Sequence, residues 1–97
     1  MKKLFSVLTD DLEHCFVCDS SPVAIHHIFY GTSNRKKSET YGFLVPLHPY
    51  FHTNSDNAIH RGNKQLDLHL KQLAQSYYEE NIGTREEFIK EFGRNYL

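Results

Sequence analysis

What most limits the folds open to this chain is where its metal-binding side chains fall. Six of its seven histidines lie between residues 14 and 60, in the same stretch as both cysteines, Cys15 and Cys18. At 97 residues the chain makes one small domain, and a domain of that size buries little enough surface to gain from an internal staple. A metal ion is the natural one. The apolar run from Leu4 to Leu8 is broken by Thr9, Asp10 and Asp11, too soon for a signal peptide or a membrane span. The chain therefore reads as soluble and intracellular, where paired cysteines are more often metal ligands than a disulfide.

The pattern along the chain predicts an α+β domain. Residues 1–12 form a short apolar segment that suits a strand or a helical turn equally. Cys15-Phe16-Val17-Cys18 and the turn-forming Asp19 to Pro22 make a knuckle. Val23 to Tyr30, rich in β-branched and aromatic residues, predicts a strand ending at Gly31, and Tyr41 to Leu47 a second, with Pro46 at its edge or end. The polar segment Thr32 to Thr40 between them reads as a loop, so the two strands make a hairpin-like pair. His48 to Asn63 is irregular in pattern, with room for a helical turn at either His52 or His60. From Lys64 the spacing of Leu66, Leu70, Leu73, Ala74, Tyr77 and Tyr78 is that of an amphipathic helix that stops near Asn81 to Gly83. Thr84-Arg85-Glu86-Glu87 has the form of a capping box, opening a last helix that carries Phe88, Ile89 and Phe92 inward.

Two constellations carry chemistry. Cys15 and Cys18 supply two thiolates, and a structural zinc needs two further nitrogen or sulfur ligands. His48, just after the second strand, suits the third; His14, His52 and His60 each suit the fourth. The bland reading is a pair of buried thiols. The second constellation is His26-His27 with His52 and His60: neutral imidazoles that hold a cation and one more that activates water are what a metal-dependent phosphodiesterase needs. Taken singly, each of these histidines is better read as a core or surface residue; taken together they are not. His26 and His27 pose a puzzle, because neighbours on a strand point to opposite faces. The formal net charge of −1 gives no global pull toward nucleic acid, so phosphate contacts would come from a local patch. Arg35, Lys36 and Lys37 form it, with Arg61 and Lys64 as additions, unless these charges only solvate their segments.

The stretch CFVCDSSPVAIHHIFYG, followed by YGFLVPLHPYFHTNSDNAIHRGNKQLDLHLKQLA, resembles the HNH, or ββα-metal, endonuclease superfamily. The likeness is to small phage-encoded members related to the RecA-dependent nuclease of phage recombination. It spans roughly residues 13 to 97, through the tail EEFIKEFGRNYL. The resemblance implies a β-hairpin and helix wrapped around one divalent cation, with magnesium, manganese, nickel or zinc all suitable, and a separate structural zinc. It divides the chain into an N-terminal segment (1–12), a metal-binding ββα core with zinc knuckle (13–63) and C-terminal helices (64–97). It implies His26 and His52 as ligands of the catalytic metal, His60 as a further one, and His27 as the general base. The implied activity is nicking of DNA with little sequence preference, in the cytoplasm of a bacterial host, as monomer or dimer, with a recombination protein as a further partner.

The likeness has gaps. His48 stands where the second knuckle has cysteine, and Phe51, which cannot bind zinc, where it has cysteine or histidine, so His60 becomes an alternative structural ligand. The bracing Asn of the motif is matched by Asn34 or Asn63. A zinc-knuckle binding module without catalysis, or an inactive relative that binds a protein, are the competing expectations.

Overall fold

The computed structural model describes residues 4–53 and 58–97. Residues 54–57, part of the stretch expected to be irregular, lie outside the described residues, as do 1–3. The described chain is α+β: a two-stranded sheet, four α-helices and a 3-10 turn. Strand β1 (Ala24–His27) runs antiparallel to β2 (Leu44–Leu47), with Ala24 opposite Leu47 and His27 opposite Leu44. Helix α1 (Thr32–Tyr41) lies between the strands; α2 (Pro49–His52), the 3-10 turn Ile59–Arg61, α3 (Lys64–Asn81) and α4 (Arg85–Phe92) follow. No described helix is long and apolar enough to cross a membrane.

The expected loop from Thr32 to Thr40 is a helix, and the reason it escapes a pattern reading is physical. TSNRKKSETY has no apolar stripe, and its one buried residue is Ser38. Polar groups dock it instead. Ser38 Oγ accepts from the Phe29 amide at 3.0 Å and donates to the Phe29 carbonyl at 2.7 Å, standing in for a strand partner. The Tyr41 hydroxyl donates to the Glu91 carboxylate at 2.6 Å, and the Lys37 ammonium donates to the Glu91 carbonyl. That substitution also shortens β1, expected to run to Tyr30: the Ile28 amide still donates to the Phe43 carbonyl at 3.0 Å, but from Phe29 the chain pairs with α1 rather than with a strand. β2 loses Tyr41 to Phe43 because Tyr41 ends α1 and Gly42 caps it with φ 76°. At Gly42 a Cβ would come within 2.4 Å of the Phe5 ring, so the N-terminal segment, which has no regular element among its described residues, lies directly on this corner. Pro46 stands inside β2, opposite Ile25, and its carbonyl accepts from the Phe16 amide at 2.8 Å, seating the knuckle beside the strand.

The helical half follows its pattern closely. α3 buries Leu70, Ala74, Gln75 and Tyr78, and α4 opens on the reciprocal capping box of Thr84 and Glu87, an arrangement that satisfies two otherwise orphaned donors. Phe88 and Phe92 are buried, while Ile89 is only partly so. They join Phe29 and Phe43 in a ring cluster, with Phe29 and Phe92 centroids 4.4 Å apart. Packing of this kind fixes the floor beneath β1. Helical turns form at both His52 and His60.

Candidate metal centre

β1, α2 and the 3-10 turn bring His26, His52 and His60 together. One ring nitrogen from each lies within 4.8 Å of the others. The ring centroids are 5.5 Å apart for His26 and His52, 5.3 Å for His26 and His60, and 4.7 Å for His52 and His60. The local sequence explains the delivery: Pro49 at the first helical position with His48 as N-cap closes one short turn, which places His52 at its end. His48 Nδ1 accepts from the Tyr50 amide at 3.2 Å in doing so.

His26 is 1% exposed, and its Nε2 is buried with no hydrogen-bond partner among the described residues. A buried polar nitrogen left unpaired is costly and rare. Burial, followed by the neighbouring His52 and His60, pushes the His26 pKa down to about 3. Burial and then His60 lower that of His52 as well. Both rings are therefore held in the neutral form that binds metal, and the donor set fits a divalent cation with open positions for other ligands.

The three histidines line a cleft of about 460 Å³ together with His27, Tyr30 and Arg35. The puzzle of the adjacent pair resolves here: β1 ends at His27, so the cleft wraps the strand terminus and both rings border it. His27 Nε2 lies 2.9 Å from Glu39 Oε2 on α1, and Arg35 Nε lies 3.9 Å from the same oxygen. An ionised carboxylate only accepts, so Nε2 carries the proton and Nδ1 is left as the basic nitrogen. Glu39 is the residue that the sequence reading misses. Once Thr32–Tyr41 is known to be a helix, the Arg35 to Glu39 spacing of four would point to it. Tyr30 forms another wall, 5.6 Å from His60, with its hydroxyl donating to Asp67 at 3.2 Å and Lys71 4.7 Å from its ring centre.

The knuckle is different. The Cys15 amide donates to the Ser20 carbonyl and the Asp19 amide to the Cys15 carbonyl, each at 2.8 Å. Cys15 is buried and Cys18 exposed. Hydrogen bonding to Ser20 lowers the Cys18 thiol pKa. Among the described residues, neither His48 nor any other histidine, cysteine or carboxylate completes a three-ligand group with them. Among the described residues the knuckle therefore offers two of the four ligands of a structural zinc. His14 instead gives its Nδ1 to Asp11 at 2.7 Å in an exposed group with Asp19.

Of the expected phosphate-contacting residues whose side chains are described, only Arg35 borders the cleft. Lys36 is exposed on α1 and Lys64 at the start of α3; the side chain of Arg61 lies outside the described residues. Lys37 is turned to α4, with its ammonium on the Glu91 carbonyl and 5.9 Å from the Phe92 ring centre. Asn63 caps α3 by accepting from Leu66, whereas Asn34 sits in the first turn of α1. No protein-family model, curated protein or solved structure matches this chain, so the centre stands on its own residues.

Proposed function

We propose that the protein is a metal-dependent DNA endonuclease with a ββα-metal core of the HNH type, a phosphodiester hydrolase with little sequence preference. One observation carries the reading: three imidazoles converge on a cleft, and the buried Nε2 of His26 has no partner among the described residues, beside a fourth imidazole oriented by a carboxylate. Once α1 is set aside as an insertion between the strands, β1, β2 and α2 follow one another, with His26 on the first strand and His52 ending the helix, which supports the strand, strand, helix arrangement that the resemblance implies.

His26, His52 and His60 would hold the cation, which when bound supplies charge compensation for the phosphate and the departing oxygen. His27 does the proton chemistry. Its Nδ1 takes a proton from water as the water oxygen bonds to phosphorus, the bond from phosphorus to the 3′ oxygen breaks, and the leaving oxygen is protonated from solvent. Glu39 keeps the imidazole in the tautomer that can do this. Arg35 offers the cleft a guanidinium suited to phosphate oxygens.

The test is nicking of supercoiled plasmid by metal-stripped protein, with each divalent ion added back, beside His27→Ala. Ion-dependent nicking that the variant loses is the expected result. Folded protein that fails to nick whichever ion is added would return the chain to a binding module.

A further inference from the structure

The amino terminus of α1 opens on the same cleft, through Gly31, Thr32 and Arg35. Gly31 is the N-cap, at φ 99°, and no side chain caps the helix. The first bond of the helix runs from the Arg35 amide to the Gly31 carbonyl at 3.0 Å. The amides of Thr32, Ser33 and Asn34 therefore have no acceptor among the described residues. The first turn also lacks any acidic residue, although helices favour one there. Other helices of this chain are served: Asn63 caps α3 and Thr84 caps α4. An uncapped terminus is not by itself a site, but here His26, 1% exposed and with no hydrogen-bond partner at Nε2 among the described residues, lines the same cleft, a second observation that points to a ligand there.

We propose that the α1 amino terminus is a phosphate seat. The backbone N–H groups of Thr32, Ser33 and Asn34, with the Arg35 guanidinium, take the non-bridging oxygens of one phosphodiester of the bound strand. Three amides and the positive end of the helix dipole make an anion site that needs no particular base. Glu39, the nearest carboxylate on the helix, is held by His27 and Arg35, which limits its repulsion of the anion. The seat rests on the nuclease reading for its substrate, a nucleic-acid strand, but phosphate binding there does not require cleavage.

The experiment follows amide resonances of the full chain during titration with dimethyl phosphate, a diester monoanion, then with inorganic phosphate, each at matched ionic strength against chloride. Dimethyl phosphate is expected to shift the Thr32, Ser33 and Asn34 amides on one saturating curve. Ser33→Glu places a carboxylate in the seat; it should weaken binding at least roughly 5-fold while holding or raising Tm, because an acidic first turn favours the helix. Thr32→Pro removes one donor at a position that tolerates proline and should weaken binding about 2- to 10-fold, the worth of one hydrogen bond. The seat is overturned if these amides do not saturate, if Ser33→Glu binds as the parent does, or if inorganic phosphate binds and the diester does not. Binding without nicking would sink the nuclease reading and leave the seat; nicking without these shifts would do the reverse.

Discussion

The histidine cleft and the cysteine knuckle draw on the same kinds of donor, yet the fold treats them oppositely. At the knuckle the backbone closes on itself, both thiols are free with Cys15 buried and Cys18 exposed, and His48 is used to cap α2. In the cleft, three separate elements deliver one imidazole each, and the most buried of them has no partner at Nε2 among the described residues. The difference teaches that spacing such as C-x2-C tells where donors begin, whereas unmet hydrogen-bonding capacity after folding tells where a ligand is expected.

Four perturbations sharpen that contrast. The largest effect is expected from His27→Ala, which removes the base: nicking should fall roughly 10²- to 10⁴-fold with metal affinity little changed, as read by plasmid nicking beside a chelator competition. Glu39→Gln should follow, with a loss of up to roughly 100-fold from misplacing the base. The loss should fall on kcat rather than KM, and Glu39→Asp should restore part of it.

The third effect is on stability. The unfolded chain takes up a proton at His26 near pH 6.5, and the folded chain refuses it until about pH 3. Between those values the unfolded state binds more protons, so the metal-free protein should lose stability as pH falls through that window. Lowered His52 acts in the same direction. Thermal melts from pH 7 down to pH 4 should show the decline, and His26→Gln should flatten it. The smallest effect is expected at the knuckle: Cys18→Ser, an exposed position, should change stability by less than about 0.5 kcal/mol. A change of several kcal/mol in a denaturant melt would mean that the knuckle holds a structural ion after all.

Legibility in the sequence followed the kind of force that builds each part. α3 and α4 were readable because Leu70, Ala74, Tyr78, Phe88 and Phe92 enter the core at helical spacing and Thr84 and Glu87 announce a terminus. The donors His26, His52 and His60 were readable as residues, by type and crowding. α1 was not, because it docks through Ser38, Tyr41 and Lys37, contacts that leave no hydrophobic period to detect. With α1 unseen, neither the pairing of Glu39 with His27 nor the open helix end at Thr32 could be found. The strands are shorter than their apolar runs because α1 intervenes: a serine side chain does the work of the next strand partner at Phe29, and Tyr41 and Gly42 close the helix where β2 would begin.

The most direct measurement of the central claim is zinc bound per chain, by competition with a chromogenic chelator, in the parent, His26→Ala and Cys18→Ser. The account predicts one ion in the parent and in Cys18→Ser, and none retained tightly in His26→Ala. An ion that leaves with Cys18 and stays without His26 would contradict it.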